Sequence, residues 1–224
     1  MNKPLAIHKV FRRTHDPIWQ LQLSVVAIMI LQYFTNDSFF PYHKLIIIGL
    51  EAVLLVALAV VTSDGYHRVS RSRRSLATTL IAIVAIFNIF SLIFLVQALL
   101  FNAGAGIGGH DLLLNGLTIY VTNIFMFALL YWEMDGGGPD RRAATIERQR
   151  DFIFPQMIHP GLTAPNWLPG FMDYLYLSTT NVTNFASADT VPVSHRAKFL
   201  MMIQALVSVI AIVLVVTRAI GILQ

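Results

Sequence analysis

Apolar residues in this chain neither alternate nor form narrow helical stripes. They come in blocks of about 20 separated by short polar stretches, and that is the length a helix needs to cross roughly 30 Å of hydrocarbon. The blocks predict five spans, at residues 17–35, 44–62, 76–101, 112–134 and 196–222. Asp16-Pro17 reads as a helix start with proline at its first position. No small-residue cleavage site follows the first block, which reads as a retained helix and not a removed leader. Long alternating strands, the mark of a membrane barrel, are absent from the pattern.

The stretch between the fourth and fifth spans breaks the pattern. Gly136, Gly137, Gly138 and Pro139 read as a flexible stop, and residues 140–152 (DRRAATIERQRDF) as a charged helix at the interface or in solvent. Prolines then recur at 155, 160, 165 and 169, with Trp167 suited to the headgroup level. Residues 171–189 are moderately apolar but rich in Thr, Ser and Asn, with Asp173 near the start. That composition suits a segment dipping partly into the bilayer, which is tolerated where protein or a water-filled cavity shelters its backbone. The expected fold is thus an all-α membrane protein with about five transmembrane helices and a re-entrant, pore-helix-like segment before the last. Residues 1–111 form a three-helix region. Residues 112–224 form a second unit: outer helix 112–134, charged helix 140–152, re-entrant segment 171–189 and inner helix 196–222.

Charge orients this plan. Only 12% of the 224 residues are charged, about half the usual share for a soluble domain. With the N-terminus inside, every one of the 16 Lys and Arg residues except Lys44 and Arg218 falls in an inner segment, as the positive-inside rule requires. The expected location is a bacterial inner membrane, with the lipid bilayer as the main partner. The basic residues sit in short clusters between apolar runs and mark topology, so no nucleic-acid partner is expected.

Little in the sequence points to catalysis. There is no cysteine, which removes thiolate metal sites and thiol nucleophiles. All seven histidines fall in loops or at helix ends, which argues against a bis-histidine haem inside the membrane. No His-Glu-x-x-His run or phosphate loop occurs. The chain is therefore read as no enzyme, with no cofactor and no metal site. Glu51 is the exception among polar residues, an acid about eight residues into the second span, where an ionisable group is costly and a functional candidate. The alternative is a bracing role against Asn88 or Asn123. Asn88, Gln97, Asn123 and Gln204 read as interhelical hydrogen-bonding groups.

The tail carries a more specific signal. A short apolar helix at 171–179 leads into a Thr/Asn-rich run, then Asp189-x-x-Pro192, then Ser194 placed to cap a long apolar helix. This order resembles the pore-loop unit of the potassium-channel superfamily over residues 168–222, and the tail of a group of bacterial polytopic membrane proteins of unestablished activity. The resemblance implies an oligomeric pore, most plausibly a tetramer, because one such unit cannot enclose a pore. Two departures qualify it. Potassium filters use glycines to aim carbonyls at the ion, whereas no glycine lies between Ser178 and Ser194. The arginine pattern also puts the loop on the cytoplasmic side. The expectation is a hydrated passage for small cations, not strictly potassium-selective, lined by Thr179, Thr180, Asn181, Thr183, Asn184 and Asp189. Alternatives are a small proton-coupled transporter built on Glu51, or a non-conducting scaffold that docks partners through the charged helix.

Overall fold

A computed structural model describes residues 19–34, 43–63, 71–100, 108–144, 150–159, 161, 167–184 and 189–223. Helix accounts for 87% of them. The helices are α1 (Trp19–Tyr33), α2 (His43–Ser63), α3 (Arg71–Leu100), α4 (Gly109–Met134), α5 (Pro139–Ala144), α6 (Pro155–Ile158), α7 (Phe171–Thr183) and α8 (His195–Leu223). Three helices, α3, α4 and α8, are long and apolar enough to cross a membrane, while α1 and the apolar part of α2, Leu45–Val61, are shorter. The chain is thus a helical, membrane-embedded protein.

Helix α4 is the hub: α8, α7, α3 and α1 all pack on it, and α2 leans on α1 and α3. The larger core cluster joins Leu21, Val25 and Ile28 of α1, Leu80 and Val84 of α3, Met126 to Trp132 of α4, and Tyr174 and Leu177 of α7. A smaller cluster towards the other end joins Leu92 and Leu95 of α3, Leu112 and Ile119 of α4, and Ala211 of α8. Phe90, Leu206, Val213 and Val216 face outward, as lipid-contacting side chains do, since hydrocarbon takes the place of a protein partner.

Gly116 shows how close α4 and α8 come. A Cβ built there would lie 2.5 Å from Val215 Cγ2 and 3.5 Å from Leu95 Cδ2. Valine is stiff at χ1 in a helix, so Gly116→Ala is expected to cost about 1–3 kcal/mol through overpacking. The check is the thermal unfolding midpoint in detergent, which should fall.

Three expectations are corrected here. Helix α3 begins at Arg71, so Arg73 and Arg74 sit in its first turn and not in a loop. Arginine is a good helix former, and Arg73 is held there by an ion pair with Glu133 (3.1 Å). The charged helix expected over 140–152 covers only Pro139–Ala144 among the described residues. Phe152–Ile153 is instead a strand, β1, paired antiparallel with β2, Val191–Pro192, which also departs from a wholly α chain. Finally, Gly136, Gly137 and Gly138 form a defined turn, with φ of 58°, 86° and 96°. L-residues rarely adopt these angles and glycine does so freely.

Candidate functional site: the α4–α7–α8 unit

Helix α7 has 13 residues, about 20 Å at 1.5 Å per residue, too short for a roughly 30 Å hydrocarbon layer. Its start is set locally: Asp173, in the first turn, accepts from the Gly170 backbone N–H through Oδ2 (2.7 Å), and a carboxylate there also complements the helix dipole. Ser194 similarly accepts from the Ala197 N–H (3.1 Å) to cap α8.

A buried polar network fastens α7 to its neighbours, with Gln204 of α8 at its centre (0% exposed). Gln204 Nε2 donates to Ser178 Oγ (2.6 Å) and to the Ser178 carbonyl (3.2 Å). Its Oε1 accepts from the Tyr131 hydroxyl (2.6 Å) and from Asn181 Nδ2 (2.8 Å). All four bonding positions of the amide are therefore used. Ser178 Oγ donates onward to the Ile124 carbonyl of α4 (2.7 Å), and Asn181 Nδ2 also reaches the Met201 carbonyl (3.1 Å). One turn further along α8, Asn123 Nδ2 donates to Ser208 Oγ (2.7 Å). Met201 and Gln204 lie six and nine residues past His195, about 9–14 Å along the α8 axis.

A second polar centre sits where α4 ends. Asp135 is fully buried. Its Oδ1 accepts from the backbone N–H of Asp151 (2.7 Å) and Phe152 (3.2 Å), and its Oδ2 from the Tyr174 hydroxyl (2.6 Å). Arg150 Nη1 lies 3.7 Å from the same Oδ2. Arg142 Nη1 donates to the Asp135 carbonyl (2.8 Å) and to the Trp132 carbonyl, and its guanidinium stands 5.0 Å over the Tyr174 ring. The sequence offered no sign of this centre beyond an acid and two arginines near a glycine turn.

The expected lining residues divide into two sets. Thr180 and Asn181 are buried within the chain, with the Thr180 hydroxyl bonded back to the Tyr176 carbonyl (2.9 Å). Both side chains are thus enclosed within the fold of the chain. Thr179 is half-buried, and Thr183, Asn184 and Asp189 are exposed. The Thr179 and Thr183 hydroxyls donate to the Leu175 and Thr179 carbonyls (2.8 and 2.9 Å). Residues 185–188, the middle of the filter-like run, lie outside the described residues.

Glu51 stands apart from this unit. It is fully buried, and Gln32 Nε2 of α1 donates to its Oε1 (3.2 Å), so its partner is Gln32 and not Asn88 or Asn123. Gln97 is exposed, whereas Asn123 and Gln204 do join helices. The described residues contain no cluster of three His, Cys, Asp or Glu side chains that could hold a metal. Comparisons of the chain with protein-family profiles, curated proteins and solved structures find no match.

Proposed function

We propose that the chain is one subunit of an oligomeric pore for small cations in a bacterial inner membrane. In this reading α1, α2, α3, α4 and α8 cross the bilayer, the N-terminus is cytoplasmic, and α7 dips in from the cytoplasmic side. The observation that carries the reading is a helix too short to span, bonded through its side chains to two long apolar helices, whose chain then returns to pair β2 with β1 beside the end of α4. A segment that starts and finishes at the same end of the bundle serves to place its tip at depth. The tip carries Thr183 and Asn184, both exposed, and the return passes through exposed Asp189.

Hydroxyl and amide oxygens on an exposed tip suit hydrated cations better than a carbonyl ladder would, because they substitute for only part of a hydration shell. Asp189 adds negative charge that raises the local cation concentration. A single unit encloses nothing, so the reading requires self-association, with a closed tetramer the simplest ring of this kind.

The test is native mass in detergent together with cation flux into proteoliposomes. Wild-type protein is expected to be oligomeric and to conduct. Thr183→Val with Asn184→Leu is expected to reduce flux to the level of empty liposomes with the oligomer intact. A monomer without flux would reject the reading in favour of a membrane scaffold, the role favoured by the burial of Thr180 and Asn181.

A further inference from the structure

The most deeply placed acid outside the α4–α7–α8 unit is Glu51, and its surroundings leave two oxygens unexplained. Glu51 and Gln32 are 0% and 1% exposed. Gln32 Nε2 donates to Glu51 Oε1 across 3.2 Å. The remaining side-chain acceptors of the two groups, Glu51 Oε2 and Gln32 Oε1, are buried and have no hydrogen-bond partner among the described residues. Each such atom carries a desolvation penalty if left unsatisfied, and an unpaired buried carboxylate carries a larger one.

Among the described residues, no cation on the packed elements answers this charge. The described α1 helix carries no Lys, Arg, His, Asp or Glu, and its one titratable group, Tyr33, is 60% exposed. The arginines of α3 are Arg71, Arg73 and Arg74, all in its first turn, with Arg73 engaged by Glu133. On α2 itself the other titratable groups are His43 and Lys44, seven or more residues away in its first turn. A metal ion is a poor answer too, since hard cations such as calcium take about 6–8 oxygen ligands and only two acceptors here are unfilled.

One proton answers both vacant acceptors. On Glu51 Oε2 it gives a neutral acid whose O–H donates to Gln32 Oε1, while Gln32 Nε2 still donates to Glu51 Oε1. We propose that Glu51 and Gln32 form an interhelical proton-binding site, in which the bound proton closes an acid–amide ring and fastens α1 to α2. The ring is planar and needs both groups in one orientation. Loss of the proton sets a carboxylate oxygen against an amide oxygen with no donor between them. Release is therefore coupled to separation of α1 from α2 or to arrival of water at the site. The inference stands independently of the pore reading, because it uses no residue of the α4–α7–α8 unit.

The test is infrared spectroscopy of the full-length protein in liposomes near neutral pH. Wild-type protein is expected to show a protonated-carboxyl C=O band that shifts on deuteration and is missing in Glu51→Gln. In Gln32→Leu the band should move to higher frequency, because its hydrogen-bond partner is gone. Glu51→Gln replaces the acid–amide ring with an amide–amide ring of the same shape, so its thermal midpoint should match wild type, while Glu51→Ala should melt lower. If Glu51→Gln removes carboxylate intensity and no acid band, or if Gln32→Leu leaves the acid band in place, the proposal is overturned.

Discussion

Asp135→Ala should unfasten the end of the bundle and lower the stability of the whole chain by about 3–5 kcal/mol, the cost of removing one member of a buried, hydrogen-bonded ionic group. Three donors lose their acceptor at once, the backbone N–H groups of Asp151 and Phe152 and the Tyr174 hydroxyl, and the Arg150 guanidinium loses its ion-pair partner. The three hydrogen-bond donors cannot turn to water freely, since Asp151, Phe152 and Tyr174 are all buried. The loss also spreads along the chain. Asp151 and Phe152 lead into β1, β1 pairs with β2, and the Asp151 carbonyl accepts from the Val193 N–H just before α8 (2.9 Å).

Controls separate the contributions. Asp135→Asn keeps an oxygen for the two backbone donors but loses the charge opposite Arg150, so it should fall between wild type and Asp135→Ala. Tyr174→Phe removes one bond and should cost about 1 kcal/mol. The measurement is unfolding in detergent followed by tryptophan signals, because Trp132 packs edge-on against Phe171 (centroids 6.2 Å apart) beside this centre. If Asp135→Ala were no worse than Tyr174→Phe, the carboxylate would not be the fastener.

The difference between what the sequence revealed and what it hid has a physical cause. Span positions follow from local composition: the block at 112–134 became α4, Gly109–Met134, and the block at 196–222 became α8, His195–Leu223. Lipid asks only that a segment be long, apolar and internally bonded, so a window of sequence suffices. Which helix lies beside which is not a local property. The sequence identified Glu51 as a buried acid and offered Asn88 or Asn123 as its partner, yet the donor is Gln32, because α1 lies against α2. Asn123 instead meets Ser208.

The tail shows the same division within one helix. Thr179, Thr180, Asn181, Thr183 and Asn184 form one polar run in sequence, but a helix turns successive residues by about 100°. Asn181 consequently faces α8 while Thr183 is exposed, and Asn184, which shares a side with Thr180 and Asn181, is exposed where it stands past the last helical residue. Only the packed structure fixes which of the two faces is inward. Tyr131 was hidden for another reason: in an apolar run a tyrosine reads as core, and its hydroxyl becomes informative only when Gln204 is seen 2.6 Å away. Asp135 and Asp151 were invisible as a pair because their link depends on a turn of three left-handed glycines.

Gln204→Leu is expected to detach α7 from α8 without separating α3 from α4. The substitution removes four hydrogen bonds and leaves the Ser178 carbonyl, the Tyr131 hydroxyl and one Asn181 donor with fewer partners. Interhelical hydrogen bonds in membranes average about 0.6 kcal/mol and reach about 1.7, which puts the sum near 2–4 kcal/mol. Hydrogen exchange should rise across residues 171–183 while α4 stays protected near residues 119–129, where Ile119, Met126, Phe127 and Leu129 also pack in the apolar core. Partner changes should not add. Once Gln204 is leucine, Tyr131→Phe is expected to restore stability, because it removes a hydroxyl that has lost its acceptor, whereas in the wild-type background the same change is expected to destabilise. That reversal of sign distinguishes a bonded network from side chains that merely share a buried space. Equal, additive costs in both backgrounds would mean that α7 is held by Leu177 and Val182 packing alone, and the polar centre would then have no part in fastening it.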